Sequence, residues 1–251
     1  MTKLKTIVNS LLAIGLASAI FSCNSNTETA KEEPKKMADS PVVSQPAAPT
    51  PVAQAQAPAP FTPFDIAEIS HKVKDYAKWR LVFNTDSVNR KAAGMEDLVV
   101  SSVIDNNNDI EIVLKVSDIQ KAKDFAANPK LKEAMEKGGV ISKPAIEFFH
   151  VIRFNPDSKE KQWVEITHKV KDFEAWLKVF DGEGTAGRAS QGLIDVVLAR
   201  GITDSNMVQL IFDIKDMAKA KASITSEDKK KLMMGAGVIG MPKIIFYKAA
   251  D

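Results

Sequence analysis

EISHKVKDYAKW at residues 68–79 returns almost unchanged as EITHKVKDFEAW at residues 165–176. The offset holds at 97 from His71 to His168 and at 97 from Trp79 to Trp176. Further on, Gly94 matches Gly192 at an offset of 98, so the second copy gains one residue before it. DIQKAK at 118–123 then matches DMAKAK at 216–221, and Gly139, Val140, Pro144 and Phe148 match Gly237, Val238, Pro242 and Phe246. A period this long lies far above that of solenoid repeats and marks two copies of one domain-sized unit.

Each copy reads in the same order. Ala67, Ile69, His71 and Val73 alternate with Glu68, Ser70 and Lys72, the two-residue period of a strand. Asp75 and Asp172 stand where a helix N-cap belongs. Phe173, Trp176, Leu177 and Phe180 then fall at i, i+3, i+4 and i+7, one apolar helix face, as do Tyr76, Trp79 and Phe83 in the first copy. Gly94 and Gly192 are expected to close these helices. Strands follow near 98–104 and 110–116, joined across the polar turn 105–109. Asp118 caps a second helix, Asn128-Pro129 restarts it over 130–137, and a last strand runs over 146–154. The order is βαββαβ, a ferredoxin-like unit.

The HKVKD[YF]xxW opening, the later DxxKAK, NPKLKEAMEKGGV at 128–140 and PAIEFF at 144–149 together resemble the dimeric α/β-barrel superfamily, which includes the antibiotic-biosynthesis-monooxygenase-like proteins. The resemblance spans 64–251. It implies an α+β fold in which two tandem ferredoxin-like units, 64–155 and 163–251, wrap their sheets into one barrel within a single chain. Each half then supplies the other's missing packing surface, and the folded part is expected to be a monomer.

The chain ahead of this repeat has another character. Lys3 and Lys5 precede an apolar run at 7–21 that is too short for a comfortable membrane span. The run ends in Ile20-Phe21-Ser22-Cys23, which resembles the lipobox of bacterial lipoproteins, with Phe21 bulkier than that pattern expects. Cys23 is the single cysteine of the chain. Residues 1–23 therefore read as a lipoprotein signal peptide, with lipidation at Cys23 anchoring an exported protein to a bacterial membrane. Residues 24–63 hold eight of the twelve prolines and no glycine. They can bury almost nothing, so they read as a disordered tether. The formal net charge is +2, and no basic stripe interleaved with aromatics points to nucleic acid.

The candidate ligand-binding residues are the duplicated ones: His71, Trp79 and Arg90 with His168, Trp176 and Arg188. A histidine on an apolar strand face is either a core residue giving one ring N–H to a neighbour or a cavity group contacting a ligand. The tryptophans fit core packing or a flat wall for an aromatic ligand. The arginines fit helix closure or an anion contact. The opposite strand face, Glu68-Ser70-Lys72 and Glu165-Thr167-Lys169, is polar enough to suit a wet barrel interior, and the sequence leaves open which face turns inward. GxGxxG is satisfied at 182–187 but follows a helix, so the dinucleotide reading is rejected. Three histidines without a close-spaced ligand pair give no metal site, and no cofactor is indicated.

Three functions compete. The first is a lipid-anchored envelope protein whose barrel binds a small, partly apolar molecule. The second, implied by the resemblance, is a cofactor-independent monooxygenase-like or haem- or quinone-processing enzyme using His71 and His168. The third is a structural envelope protein with a solid barrel, marked by an interior filled with large apolar side chains.

Overall fold

The structure is a computed structural model that describes residues 61–250. The signal-peptide reading, Cys23 and all but the last three residues of the tether reading lie outside the described residues. The first copy runs β1 (Phe64–Lys72), α1 (Tyr76–Thr85), α2 (Ser87–Ala92), β2 (Met95–Val103), β3 (Asn106–Val116), α3 (Ile119–Ala126), α4 (Pro129–Lys137) and β4 (Ala145–Phe154). The second runs β5 (Gln162–Val170), α5 (Phe173–Ser190), β6 (Leu193–Gly201), β7 (Met207–Ile214), α6 (Met217–Ile224), α7 (Glu227–Gly235) and β8 (Val238–Ala249).

Each copy forms an antiparallel four-stranded sheet, β4-β1-β3-β2 and β8-β5-β7-β6. The pairs β2–β8 and β4–β6 join the two sheets into a closed barrel. Two open sheets would each leave two edges of unpaired N–H and C=O groups, and closure pairs part of each, Ser101–Val103 with Tyr247–Ala249 and Phe149–Phe154 with Val197–Gly201. The fold is thus two tandem ferredoxin-like units making one α/β barrel in a single chain. No described helix is long and apolar enough to cross a membrane.

Local chemistry sets the element boundaries. Asp75, Asp118, Asp172 and Asp216 each accept a hydrogen bond from the backbone N–H three residues on, and Asn128 caps α4 with Pro129 in its first turn. Two details differ from the sequence expectation. The hairpin turn is tighter, because β3 begins at Asn106 rather than Ile110. The asparagines are drawn into the ladder because they hold the end of β1: Val73 N–H donates to the Asn108 carbonyl, and Tyr76 N–H to the Asn108 side-chain oxygen. The first long helix also breaks, into α1 and α2 at Asp86, while α5 breaks at Gly184 (φ 70°).

Gly192 has φ +83°, and a Cβ there would lie 2.6 Å from the Asp216 carbonyl oxygen. Gly192→Ala is therefore expected to cost about 1–2 kcal/mol for the left-handed backbone alone, with the contact adding to it. Urea unfolding of the variant checks this, and a loss under about 0.5 kcal/mol would count against the geometry.

Which strand face turns inward is settled by who meets whom. Ile66 packs with Phe149, Val151 and Ala199, and Glu68 meets Glu111 and Glu165 across the barrel. Ala67, Ile69 and His71 face outward, under α1, α3 and α4. The polar face of the opening strand is thus interior. Two larger apolar clusters lie between sheet and helices, one per copy.

Candidate functional site

Ordinary alternation on β1 puts His71 on the same face as Ala67 and Ile69, and α1 brings Trp79 over it. The two rings meet edge to face with centroids 5.6 Å apart. Trp79 in turn stacks on Phe83 at 5.0 Å. Between this outer sheet face and the helices lies a cavity of about 280 Å³, lined by His71, Trp79, Phe83, Phe125, Ala126 and Ala134 among others. The second copy repeats the arrangement, with His168 and Trp176 5.5 Å apart and Phe180 at 5.1 Å, but its cavity is only about 70 Å³. The sequence accounts for the difference. Ala126 and Ala134 correspond to Ile224 and Leu232, whose side chains occupy the equivalent space. An ion pair between Lys229 and Glu183 lies at the same pocket.

Both histidines are 5 % exposed, and neither nitrogen of either ring has a hydrogen-bond partner. A neutral imidazole carries one N–H donor and one acceptor. Leaving both unsatisfied out of water is costly, so these rings are the anomaly of a mostly apolar wall. Burial lowers the His71 pKa from 6.5 to about 4, against a smaller opposing pull from Asp109, and burial lowers that of His168 likewise to about 4. Both rings are therefore neutral at pH 7.

Arg90 and Arg188 are placed differently. Arg90 forks onto Asp97 at 2.8 and 2.6 Å, donates to the Phe83 carbonyl at 2.8 Å, and lies 3.6 Å above the Phe83 ring. Arg188 makes the same set with Asp195, the Phe180 carbonyl and the Phe180 ring. Each guanidinium ties the end of the long helix to the following strand, and Arg90 also borders the larger cavity. His150, on β4, pairs with Asp65 at 2.6 Å on the half-exposed surface. Gly182 to Gly187 lie within the broken α5 and not after a strand.

Inside the barrel lies a polar group that sequence reading only half found. Glu68, Glu111 and Glu165 are each no more than 3 % exposed, and their carboxylate oxygens come within 4.8 Å of one another. Gln209 donates to Glu68, Tyr247 hydrogen-bonds Glu111, and Thr167 donates to Glu165 at 3.0 Å. Burial, then the neighbouring Glu165, pushes the Glu68 carboxyl from 4.5 up to about 8. Burial, then Glu68 and Glu165, holds Glu111 well above the usual range. Burial pulls the Lys243 ammonium down, but the attraction of Glu165, Glu68, Glu147 and Glu111 outweighs it and leaves that pKa raised. Glu111 could have been found in the sequence by aligning the copies, since Glu111 and Gln209 occupy equivalent places on β3 and β7 beside Ser70 and Thr167.

Among solved structures the chain is similar to an anthrone oxidase-like protein, with 13% identity, a TM-score of 0.51, and coverage of 75% of this chain and 92% of the other. It is also similar to a ferredoxin-fold protein related to antibiotic biosynthesis monooxygenases from Listeria monocytogenes, at 10% identity, TM-score 0.45, covering 76% and 97%. A third is a heme-binding protein from Thermus thermophilus, at 12% identity, TM-score 0.45, covering 76% and 92%. No protein-family model and no curated protein matches the chain. What the chain shares with the anthrone oxidase-like protein is the fold.

Proposed function

We propose that this protein binds one small, mostly apolar molecule, of one or two rings, in the first-copy cavity, with a polar group of the ligand hydrogen-bonded to His71. The observation that carries this reading is the buried, unpartnered imidazole on the wall of a cavity of about 280 Å³. That volume is at the small end of ligand sites, which run from about 300 Å³ upward. A tetrapyrrole is larger than this space, so a haem does not fit it as shaped. The second-copy site, at about 70 Å³, holds no comparable ligand and acts as packing.

Binding is favoured over turnover by the state of the histidine. A general base works best with a pKa near the operating pH, and His71 at about 4 is a poor proton acceptor. As a neutral ring it still offers one donor and one acceptor. The enzyme reading remains the second one, supported by the likeness in fold to an anthrone oxidase-like protein. We read the rest of the chain as the means of delivery: a lipid on Cys23 and the tether at 24–63 hold a monomeric barrel at a bacterial membrane. Membrane fractionation of the full chain and of Cys23→Ala tests the anchor, which is lost as a hypothesis if both stay in the membrane fraction.

The ligand is tested by native mass spectrometry of freshly purified protein against the same sample denatured. Wild type and His168→Ala are expected to retain a small molecule that denaturation releases. Ala134→Leu, which copies the second-copy lining into the first, is expected to lose it, as is His71→Ala. Retention by Ala134→Leu at the wild-type level would sink the assignment to this cavity.

A further inference from the structure

The four inward positions 68 and 111 of the first copy and 165 and 209 of the second are pseudo-equivalent, and they converge at the middle of the barrel. Three carry glutamate and the fourth glutamine. A fourth glutamate would add another buried negative charge, whereas the amide keeps an oxygen ligand and adds none. Gln209 is 1 % exposed. Its nitrogen donates to Glu68, which brings the amide to the edge of the cluster, and its Oε1 is buried without a hydrogen-bond partner. Oε2 of Glu111 and Oε2 of Glu165 are likewise buried and unpartnered. Three buried acceptor atoms without a donor, on residues that meet inside the barrel, mark a place that a positive centre would complete.

We infer that the barrel interior is a binding site for one hard divalent cation, held by the carboxylates of Glu68, Glu111 and Glu165 and the side-chain oxygen of Gln209. The donor set is oxygen only, which selects calcium- and magnesium-class ions over thiolate- and imidazole-preferring metals. The size agrees. Calcium–oxygen bonds of about 2.3–2.6 Å place oxygens on opposite sides of the ion about 5 Å apart, and the three carboxylate oxygens lie within 4.8 Å of one another. The charge agrees too. Lys243 approaches Glu165 at 3.8 Å with its side chain 44 % exposed, so three carboxylates, a divalent ion and one ammonium sum to zero. The same partly exposed lysine marks the side from which an ion can reach the centre. This site lies inside the barrel and is separate from the His71 cavity outside it, so the two stand or fall independently.

The test is isothermal titration of the full chain, stripped with chelator, with Ca²⁺ and separately with Mg²⁺, alongside thermal unfolding. Saturable binding at one ion per chain is expected, with a rise in Tm of roughly 5 °C or more at a hundredfold excess over Kd. Glu111→Gln should weaken binding by at least about tenfold. It should still fold, because the equivalent position 209 already carries glutamine. Glu165→Gln should do the same, and neither variant should alter small-molecule retention in the His71 cavity. No saturable binding of either ion to the wild-type chain below about 1 mM, weaker than extracellular calcium modules, would overturn the assignment. So would binding unchanged in both folded variants.

Discussion

Trp176→Ala is expected to lower the stability of the barrel by about 3–5 kcal/mol, and Trp79→Ala to cost less. The two indoles are equally buried, at 4 % exposure, and each stacks on the phenylalanine one turn later. They differ in what surrounds them. Trp176 stands in a cluster with Phe173, Phe180, Leu193, Phe212 and Ile224, next to a cavity of only about 70 Å³. Truncation there opens a void that tightly packed neighbours cannot fill. Trp79 already faces about 280 Å³ of open cavity, so part of its surface has no partner atoms to lose. Urea unfolding of the two variants at one pH measures the ranking. An equal or larger loss for Trp79→Ala would mean that the first-copy cavity is filled in the folded protein when no ligand is added.

Raising the pH from 6.5 to 8 in chelator-treated protein is expected to reduce stability by about 1.4 kcal/mol per pH unit for each proton the interior holds. Glu68 has its folded pKa raised from 4.5 to about 8, and Glu111 is raised as well. Across that window the folded chain keeps protons that the unfolded chain has released. The stability tied to these carboxyls is therefore complete below about 4.5 and is lost as the pH rises toward 8. His71 and His168 act in the opposite sense and in a lower window. Their folded pKa is depressed from 6.5 to about 4, so their contribution is present above 6.5 and lost as the pH falls toward 4. Just above 6.5 the two histidines, still partly protonated in the unfolded chain, oppose the carboxyl slope, and the carboxyls dominate as the pH approaches 8. Unfolding free energies at four pH values, in wild type and in Glu68→Gln/Glu111→Gln, read the effect directly. An equal slope in wild type and the double variant, in which the histidine contribution is the same, would show that the interior holds no protons there.

Much of the architecture was legible because it rests on local chemistry repeated twice. The aspartate caps, the glycines after the first helices and the two-residue alternation of the opening strand each have one physical reading. The repeat itself announces two units of one order, and the family resemblance implied that they join in one barrel. The polar stretch 106–109 misled because such a stretch reads as a turn, and its recruitment into β3 depends on the backbone N–H groups of Val73 and Tyr76, which meet Asn108 only in the fold.

The candidate sites were legible in part. Each duplicated histidine meets the tryptophan of its own copy, and Arg90 and Arg188 turn out to clamp helix to strand through Asp97 and Asp195. That one cavity is open and its twin closed depends on Ala126 and Ala134 against Ile224 and Leu232. Those substitutions are visible in the sequence, yet they have meaning only once the helices are laid over the sheet.

What the sequence by itself determined is the duplication, the βαββαβ order, and the division of each opening strand into a polar and an apolar face, because period and capping are properties of a few neighbouring residues. Only the tertiary structure decided that the polar face turns inward and that Glu68, Glu111, Glu165 and Gln209 converge there. Closing the barrel brings four separate strands to one centre, and strand pairing across a fold is fixed by the joint burial of both halves, which no local stretch encodes.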